Sequence, residues 1–175
     1  FYKQVYKEEN KIKPDMIVLL ASEVSRLSAE EIPSRAINVN INGCYNVITA
    51  CLKYDCQLVY IGTSEEYGDL LCSNEYSDCV PINIYGLTKN FATNLLYYYH
   101  RQFDLKCRIP RIFMCYGEGE VTNNYRSMLS RMIDDICYGR KISIHKGTKR
   151  QWCHIDDVID GIVRVIEYDS NWDIF

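Results

Sequence analysis

Two segments decide the fold: Ile61–Gly68 (IGTSEEYG) and Ile84–Lys89 (IYGLTK). The first has the pattern of a buried strand that delivers hydroxyls and a carboxylate at its carboxyl end. The second predicts the start of a helix in which Tyr85 and Lys89, four residues apart, lie on one face. We therefore expect the strand end and the helix start to meet at one site.

The side chains at this site suit proton abstraction. A phenol has a pKa of about 10 and is a poor base at neutral pH, but a nearby ammonium lowers that pKa. We predict that Tyr85 is the base, that Lys89 lowers its pKa, and that Thr63 positions the substrate hydroxyl. Glu65 is either a further acid–base group or a solvent-exposed loop acid. Y-x-x-x-K alone occurs by chance in many helices, and the preceding Thr-Ser-Glu favours the catalytic interpretation.

Apolar runs alternate with helical patterns along the chain. Met16–Ala21 predicts a strand buried on both faces, and Leu58–Ile61 and Lys106–Phe113 predict two more. This alternation predicts an α/β fold with a doubly wound parallel sheet, whose ligands bind beyond the carboxyl ends of the strands. Gly68–Pro81 is expected to be an exposed loop. Helices are expected over Phe1–Lys13, Ser34–Tyr54 and Tyr85–Phe103, within Val121–Gly139, and over Val158–Tyr168 with Asp156 and Asp157 at its N-cap and first turn.

Composition points to one soluble domain. The 175 residues carry a net charge of -3 with a pI near 5.6, which argues against a nucleic-acid partner. No apolar run approaches the roughly 20 residues of a membrane helix, and the charged N-terminus does not resemble a signal peptide. Nine cysteines without a C-x-x-C pair predict reduced thiols in a cytoplasmic protein, and we expect no metal site.

The segment Gly139–Gln151 is strongly basic. It contains five cations and no acid, and two interpretations are open: a solvated turn between short strands, or a clamp for phosphates. The cations are Arg140, Lys141, Lys146, Lys149 and Arg150.

Several ordered motifs resemble those of the extended short-chain dehydrogenase/reductases that act on nucleotide sugars: the epimerases, 4,6-dehydratases and decarboxylases. Leu19 stands where the family usually has histidine, and Met114 stands where it usually has asparagine. The matching segments are Asp15–Ser22 (D-x-V-x-H-L-A-A), Asn40–Gly43 (N-V-x-G), Thr63–Gly68 (T-S-E-x-Y-G), Tyr85–Lys89 (Y-x-x-x-K), Arg111–Gly117 (R-x-F-N-x-Y-G) and Arg150–Val158 (R-D-x-x-H-V-D-D-V).

The resemblance implies oxidation at C4 of a nucleotide-linked hexose with NAD or NADP as cofactor. It implies that Tyr85 is the base and that Glu65 assists 4,6-dehydration, with decarboxylation as an alternative. The cofactor would lie against Ala21, Ser22, Tyr85 and Lys89. The nucleotide-diphosphate sugar would contact Thr63, Ser64 and Arg150, and the resemblance allows a homodimer.

The sequence contains no G-x-x-G-x-x-G motif. The resemblance implies that this motif precedes Phe1 and that the substrate lobe continues past Phe175. Residues 1–113 would then be the C-terminal part of an NAD(P)-binding Rossmann domain, and 114–175 part of a smaller lobe interleaved with it. We expect residues 1–175 alone to be inactive. A non-catalytic binding or scaffold protein is the rival hypothesis.

Overall fold

Short parallel strands with helices packed against them build the structure. The computed structural model describes residues 13–70, 72–123, 125, 128–144, 147 and 149–175, so that the helix predicted over Phe1–Lys13 lies outside the described residues but for Lys13. In chain order the elements are β1 (Met16–Leu19), α1 (Arg26–Glu31), α2 (Pro33–Ala36), a π-helical turn (Ile37–Asn42), α3 (Gly43–Tyr54), β2 (Gln57–Tyr60), β3 (Gly62–Thr63), a 3₁₀ turn (Ser64–Tyr67), α4 (Ile84–Phe103), β4 (Cys107–Ile109), β5 (Arg111–Ile112), β6 (Met114–Tyr116), α5 (Met128–Cys137), β7 (Trp152–His154), α6 (Ile155–Glu167) and β8 (Trp172–Ile174).

The main sheet has the strand order β1-β2-β4-β8, with every pairing parallel. The predicted α/β class with a parallel sheet is therefore confirmed. The third predicted strand divides at Pro110, which lacks an N–H group for the ladder. Its second half, β5, pairs with β3, while β6 pairs with β7. β8 was not predicted, because three residues are too few for a periodic pattern.

The core lies between one face of this sheet and helices α3 and α4. Strand residues Leu58, Tyr60, Cys107 and Ile109 point to that face, where they are fully or nearly fully buried. Cysteines act here as small apolar side chains. Burial raises the pKa of the Cys44 thiol to about 12, so this thiol is protonated at neutral pH.

β1 differs from its prediction. The strand ends at Leu19 rather than Ala21, and its four residues are only partly buried. Among the described residues β1 pairs with β2 alone, so one of its edges has no neighbouring strand. Leu20 is 66% exposed and Ala21 is also exposed.

The long helix predicted over Ser34–Tyr54 is confirmed, although α2 and α3 are joined by a π-helical turn. This turn contains Asn40 and ends just before Gly43. Such turns widen a helix locally and are frequent at functional sites. Asn40 is 3% exposed and points towards the end of β1.

Two predicted details change at the carboxyl-terminal end. His154 rather than Asp156 is the N-cap of α6, because its side chain accepts from the Asp156 N–H, and both aspartates lie in the first turn. The basic segment follows α5 and precedes β7, so strands do not flank it on both sides; Lys146 lies outside the described residues.

The loop Gly68–Pro81 has neither helix nor strand in its described residues, as predicted. No described helix is long and apolar enough to cross a membrane.

Arg108 joins α6 to the sheet face opposite the core. Its side chain is 4% exposed, and Nη1 donates to the carbonyl oxygens of Val165 and Ile166, each at 2.9 Å, and to that of Tyr168. Nη2 donates to Gln57 on β2. The arginine thereby satisfies carbonyls at the end of α6 that have no partner within the helix.

We predict that Arg108→Met lowers the free energy of unfolding by about 2–4 kcal/mol, because it leaves these buried carbonyls without a donor. Urea denaturation measures the change. Arg164→Met is the matched control: Arg164 is exposed and pairs with the exposed Asp160 one turn away, so the loss should stay below about 0.5 kcal/mol. Equal losses in the two variants would contradict the role of Arg108.

Candidate active site

The 3₁₀ turn after β3 is built around Thr63. Thr63 is its N-cap: the side-chain oxygen accepts from the Glu65 N–H at 3.3 Å, while Glu66 Oε1 accepts from the Thr63 N–H at 3.1 Å. This reciprocal capping box satisfies N–H groups that would otherwise be buried without acceptors. Thr63 is 6% exposed.

The start of α4 packs directly on this turn. Asn83 caps the helix by accepting from the Gly86 N–H at 2.8 Å. A Cβ on Gly86 would lie 2.4 Å from the Glu65 carbonyl oxygen, so only glycine permits this approach. Asn83 Nδ2 also donates to Glu65 Oε2 at 2.8 Å. The strand end and the helix start therefore meet, as the sequence predicts.

Tyr85 lies in this contact, and the predicted direction of its pKa is wrong. Burial, with smaller contributions from the charges of Glu65 and Glu66, raises the pKa of Tyr85 to about 12, although a hydrogen bond with Thr63 lowers it. The predicted net lowering by Lys89 is therefore not observed. The hydrogen bond between Thr63 and Tyr85 brings a hydroxyl to the phenol, but the described chain alone keeps the phenol protonated.

Lys89 is a buried ammonium one helical turn beyond Tyr85. Its Nζ donates to the Ile61 carbonyl at 2.6 Å and lies 4.0 Å from the centre of the Tyr60 ring. Burial lowers the pKa of Lys89 from 10.5 to about 8, although the charge of Glu66 opposes the shift. The ammonium is thus held at the Ile61 carbonyl, while burial keeps the pKa of Tyr85 raised.

Glu65 is not a solvent-exposed loop acid. Its side chain is 16% exposed, and Oε2 lies 3.5 Å from Arg26 Nε in addition to accepting from Asn83. The carboxylate is therefore held by a cation and an amide at the end of the strand. The sequence did not indicate Arg26, which precedes this strand by more than thirty residues.

Asn40 is a second residue that the prediction of function did not use. Its side-chain oxygen accepts from Ser22 Oγ at 2.9 Å and from the Glu23 N–H at 2.8 Å. Its amide donates to Thr88 Oγ1 at 3.0 Å, next to Lys89. Asn40 thus ties the predicted cofactor residue Ser22 to α4. Its only signal in the sequence was the N-x-x-G motif.

A cleft of about 480 Å³ opens beside the site. Ser64, Glu65 and Arg150 line it together with Arg26 and Lys149, so the basic segment reaches the strand end. The cleft lining does not include Thr63, Tyr85, Lys89, Ala21 or Ser22. The structure therefore forms two adjoining groups, one around Tyr85 and one along the cleft, and the 3₁₀ turn joins them. No group of three or more potential metal ligands occurs within the described ranges.

Sequence comparison adds a match to the family model described as NAD dependent epimerase/dehydratase family, over residues 4–174. This chain belongs to that family. The resemblance stated from its motifs is thereby confirmed. The family is NAD-dependent, in agreement with the cofactor expected from the sequence.

Two relatives of this epimerase/dehydratase chain differ in reaction. UDP-glucuronic acid decarboxylase 5 of Arabidopsis thaliana is 29% identical over 174 residues, covering 91% of this chain and 49% of the relative. The dTDP-glucose 4,6-dehydratase of Mycolicibacterium smegmatis is 24% identical over 159 residues, covering 87% and 47%. This chain spans about half the length of the curated relatives it matches.

Solved structures share the fold. The UDP-glucuronic acid 4-epimerase of Bacillus cereus, in complex with UDP-glucuronic acid and NAD, has a TM-score of 0.82 at 25% identity, covering 93% of this chain and 54% of that one. The UDP-glucose 4-epimerase of Thermotoga maritima has a TM-score of 0.85 at 20% identity, covering 93% and 55%. The predicted Rossmann-like architecture is confirmed.

The residues present fit the nicotinamide half of NAD. Lys89 Nζ carries three N–H groups, and the Ile61 carbonyl takes one of them, so donors remain for ribose hydroxyls. Ala21 is small and exposed at the end of β1, and Asn40 holds Ser22 beside it. Ala21, Ser22, Tyr85 and Lys89 thus remain the predicted cofactor contacts.

The burial of Lys89 predicts a pH dependence of stability. The folded chain releases this proton near pH 8 and the unfolded chain near 10.5, so between these values the unfolded chain binds more protons and stability rises with pH. We expect Lys89→Met to be more stable than wild type at pH 7, by on the order of 3 kcal/mol at most. This difference should shrink as the pH rises from about 8 towards 10.5.

Urea denaturation across this pH range measures the difference. Lys106→Met, at an exposed position, is the control and should show no comparable trend. A wild-type-to-Lys89→Met difference that stays constant across the range would contradict the buried-ammonium description.

Proposed function

We propose that this chain carries the catalytic residues of an NAD(P)-dependent enzyme that oxidises a nucleotide-linked hexose at C4. One observation carries the proposal: Thr63 hydrogen-bonds Tyr85 at the strand end, with buried Lys89 one turn away and a cationic cleft alongside. Thr63 would orient the C4 hydroxyl and Tyr85 would take its proton. NAD, when bound, would accept the hydride and add the positive charge of its nicotinamide ring.

Tyr85 needs that added charge. Its pKa of about 12 in the described chain leaves the phenol protonated at neutral pH. A cation beside the ring would favour the phenolate. Lys89, besides holding the cofactor ribose, would contribute in this way if its Nζ moved from the Ile61 carbonyl towards Tyr85.

Glu65 would act after oxidation. The 4-keto group acidifies the C5 proton, and a carboxylate held by Arg26 and Asn83 lies at the cleft to remove it. The C6 hydroxyl would leave as water, and return of the hydride from the reduced cofactor to C6 would complete the 4,6-dehydration. A C4-epimerase would not need this group. We therefore favour the dehydratase.

Decarboxylation of a nucleotide-linked uronic acid is the second candidate. The similarity to UDP-glucuronic acid decarboxylases supports it, as does Arg26, a cation in the cleft that suits a sugar carboxylate. In this case Glu65 would not abstract the C5 proton, because loss of carbon dioxide needs only the keto group.

We further propose that Ser64 and Arg150 bind the nucleotide-diphosphate sugar from the cleft. The two predicted units, 1–113 and 114–175, would supply the catalytic and the substrate-binding parts. A cytoplasmic homodimer is the proposed setting of the whole protein, with NAD as cofactor and NADP as the alternative.

In the complete protein, Tyr85→Phe should abolish turnover and leave nucleotide-sugar binding nearly intact, because only the phenolic oxygen takes part in the chemistry. We expect a loss of about two or more orders of magnitude in kcat. Steady-state kinetics and calorimetry on the same preparation separate the two effects. A variant that keeps most of the wild-type rate would show that another group is the base.

Arg150→Ala should weaken binding of a nucleoside diphosphate by about 1.5–3 kcal/mol, the range for a charge-assisted contact to phosphate. Isothermal titration calorimetry measures it. Arg140→Ala removes the same charge from the same segment, but Arg140 pairs with Asp134 and Asp135 outside the cleft lining, so its affinity should match wild type. Equal affinities in all three proteins would favour the solvated-turn interpretation.

Product analysis distinguishes the candidate reactions. With the complete protein and NAD, a nucleotide-linked glucose should yield a 4-keto-6-deoxy sugar, and Glu65→Gln should block this step while the sugar is still oxidised. Release of carbon dioxide from a nucleotide-linked glucuronic acid, with no dehydration of glucose, would establish the decarboxylase instead. Turnover of neither substrate, with binding retained, would favour the non-catalytic rival.

A further inference from the structure

Glu66 is a buried acid for which the proposed mechanism has no use. Its side chain is 0% exposed. The other charged side chains that are buried among the described residues are the cations Lys89, Arg108 and Arg111. A buried carboxylate carries a large desolvation cost unless it is paired. In the motif T-S-E-x-Y-G, Glu66 occupies the unspecified position between Glu65 and Tyr67.

Glu66 connects the two strand ends beneath the site. Its Oε1 accepts from the Thr63 N–H at 3.1 Å, at the end of β3. Its Oε2 lies 3.3 Å from Arg111 Nη2 on β5, an ion pair without hydrogen-bond alignment. Arg111 Nη1 in turn donates to the Tyr67 hydroxyl at 2.9 Å. One oxygen of Glu66 thus holds Thr63, which hydrogen-bonds Tyr85, and the other oxygen lies against the buried cation of Arg111.

We propose that Glu66 is a positioning residue: its buried carboxylate fixes Thr63 against Arg111 and places a negative charge close to Tyr85 and Lys89. The inference rests on the proposed function, since positioning is meaningful only if these two side chains act. Stability alone does not account for the ion pair, because apolar replacements of buried pairs are often neutral or stabilising.

The charge of Glu66 acts on both partners in the same direction. It raises the pKa of Lys89, against the effect of burial, and it also raises the pKa of Tyr85. Glu66 therefore helps to keep Lys89 an ammonium and Tyr85 a phenol. The charged and titratable groups facing these side chains or Glu66 itself are Glu65, Arg111, Cys44, Cys79, Tyr60 and Tyr67.

Glu66→Gln tests the proposal, because the amide oxygen can still accept from the Thr63 N–H while the charge is removed. Without the charge, the pKa values of Tyr85 and Lys89 should both fall. If turnover requires the phenolate and the ammonium, both limbs of the pH profile of kcat should move to lower pH. Asp160→Asn removes one negative charge from an exposed position on α6 and should leave the profile unchanged.

A second measurement does not depend on turnover. The stability difference between wild type and Lys89→Met should begin to shrink near pH 8. The stability difference between Glu66→Gln and Glu66→Gln/Lys89→Met should begin to shrink at a lower pH. Glu66→Gln/Arg111→Met keeps the test available if the single variant does not fold, because it removes both charges of the buried Glu66–Arg111 pair.

The outcomes separate cleanly. Displacement of both the pH profile and the Lys89-dependent stability to lower pH supports the proposal. A Glu66→Gln protein that loses stability while both pH dependences stay in place overturns it, since Glu66 is then only structural. If the complete wild-type protein turns over no nucleotide sugar, the proposed reaction fails, and the stability measurement still decides whether Glu66 sets the charge state of Lys89.

Discussion

The close approach of α4 to the 3₁₀ turn after β3 is the contact on which the candidate site depends. Gly86 makes it possible, because any side chain there would overlap the Glu65 carbonyl. The approach brings Asn83 to Glu65 and Tyr85 to Thr63 in a single step. A strand end and a helix start that are separated in sequence thereby become one surface with a hydroxyl, a phenol and a carboxylate.

Burial decides the charge states around this contact. It lowers the pKa of Lys89 and raises that of Tyr85, so the two groups resist the ionised forms that proton transfer requires. The surrounding carboxylates raise the pKa of both groups, which disfavours the phenolate of Tyr85 and favours the ammonium of Lys89. In the described chain Tyr85 is therefore a neutral phenol, and added positive charge nearby would favour its ionisation.

Family membership and site geometry limit the function at different levels. The family match establishes an NAD-dependent epimerase/dehydratase domain, while its relatives include both decarboxylases and a dehydratase. Glu65 and Arg26 lie together in the cleft, where a base suits dehydration and a cation suits a uronic acid. We therefore expect a few side chains at the strand end, rather than the fold, to decide the substrate.

The sequence by itself determined the α/β class, the long helices and the family, because buried strands and amphipathic helices repeat over many residues. It also placed Thr63, Tyr85 and Lys89, whose spacing within one strand end and one helix turn is local. Only the tertiary structure decided the direction of the Tyr85 pKa shift, the pairing of Glu65 with Arg26, and the buried contact of Glu66 with Arg111. These features depend on desolvation and on partners that are distant in the chain, and no pattern of neighbouring residues encodes either of them.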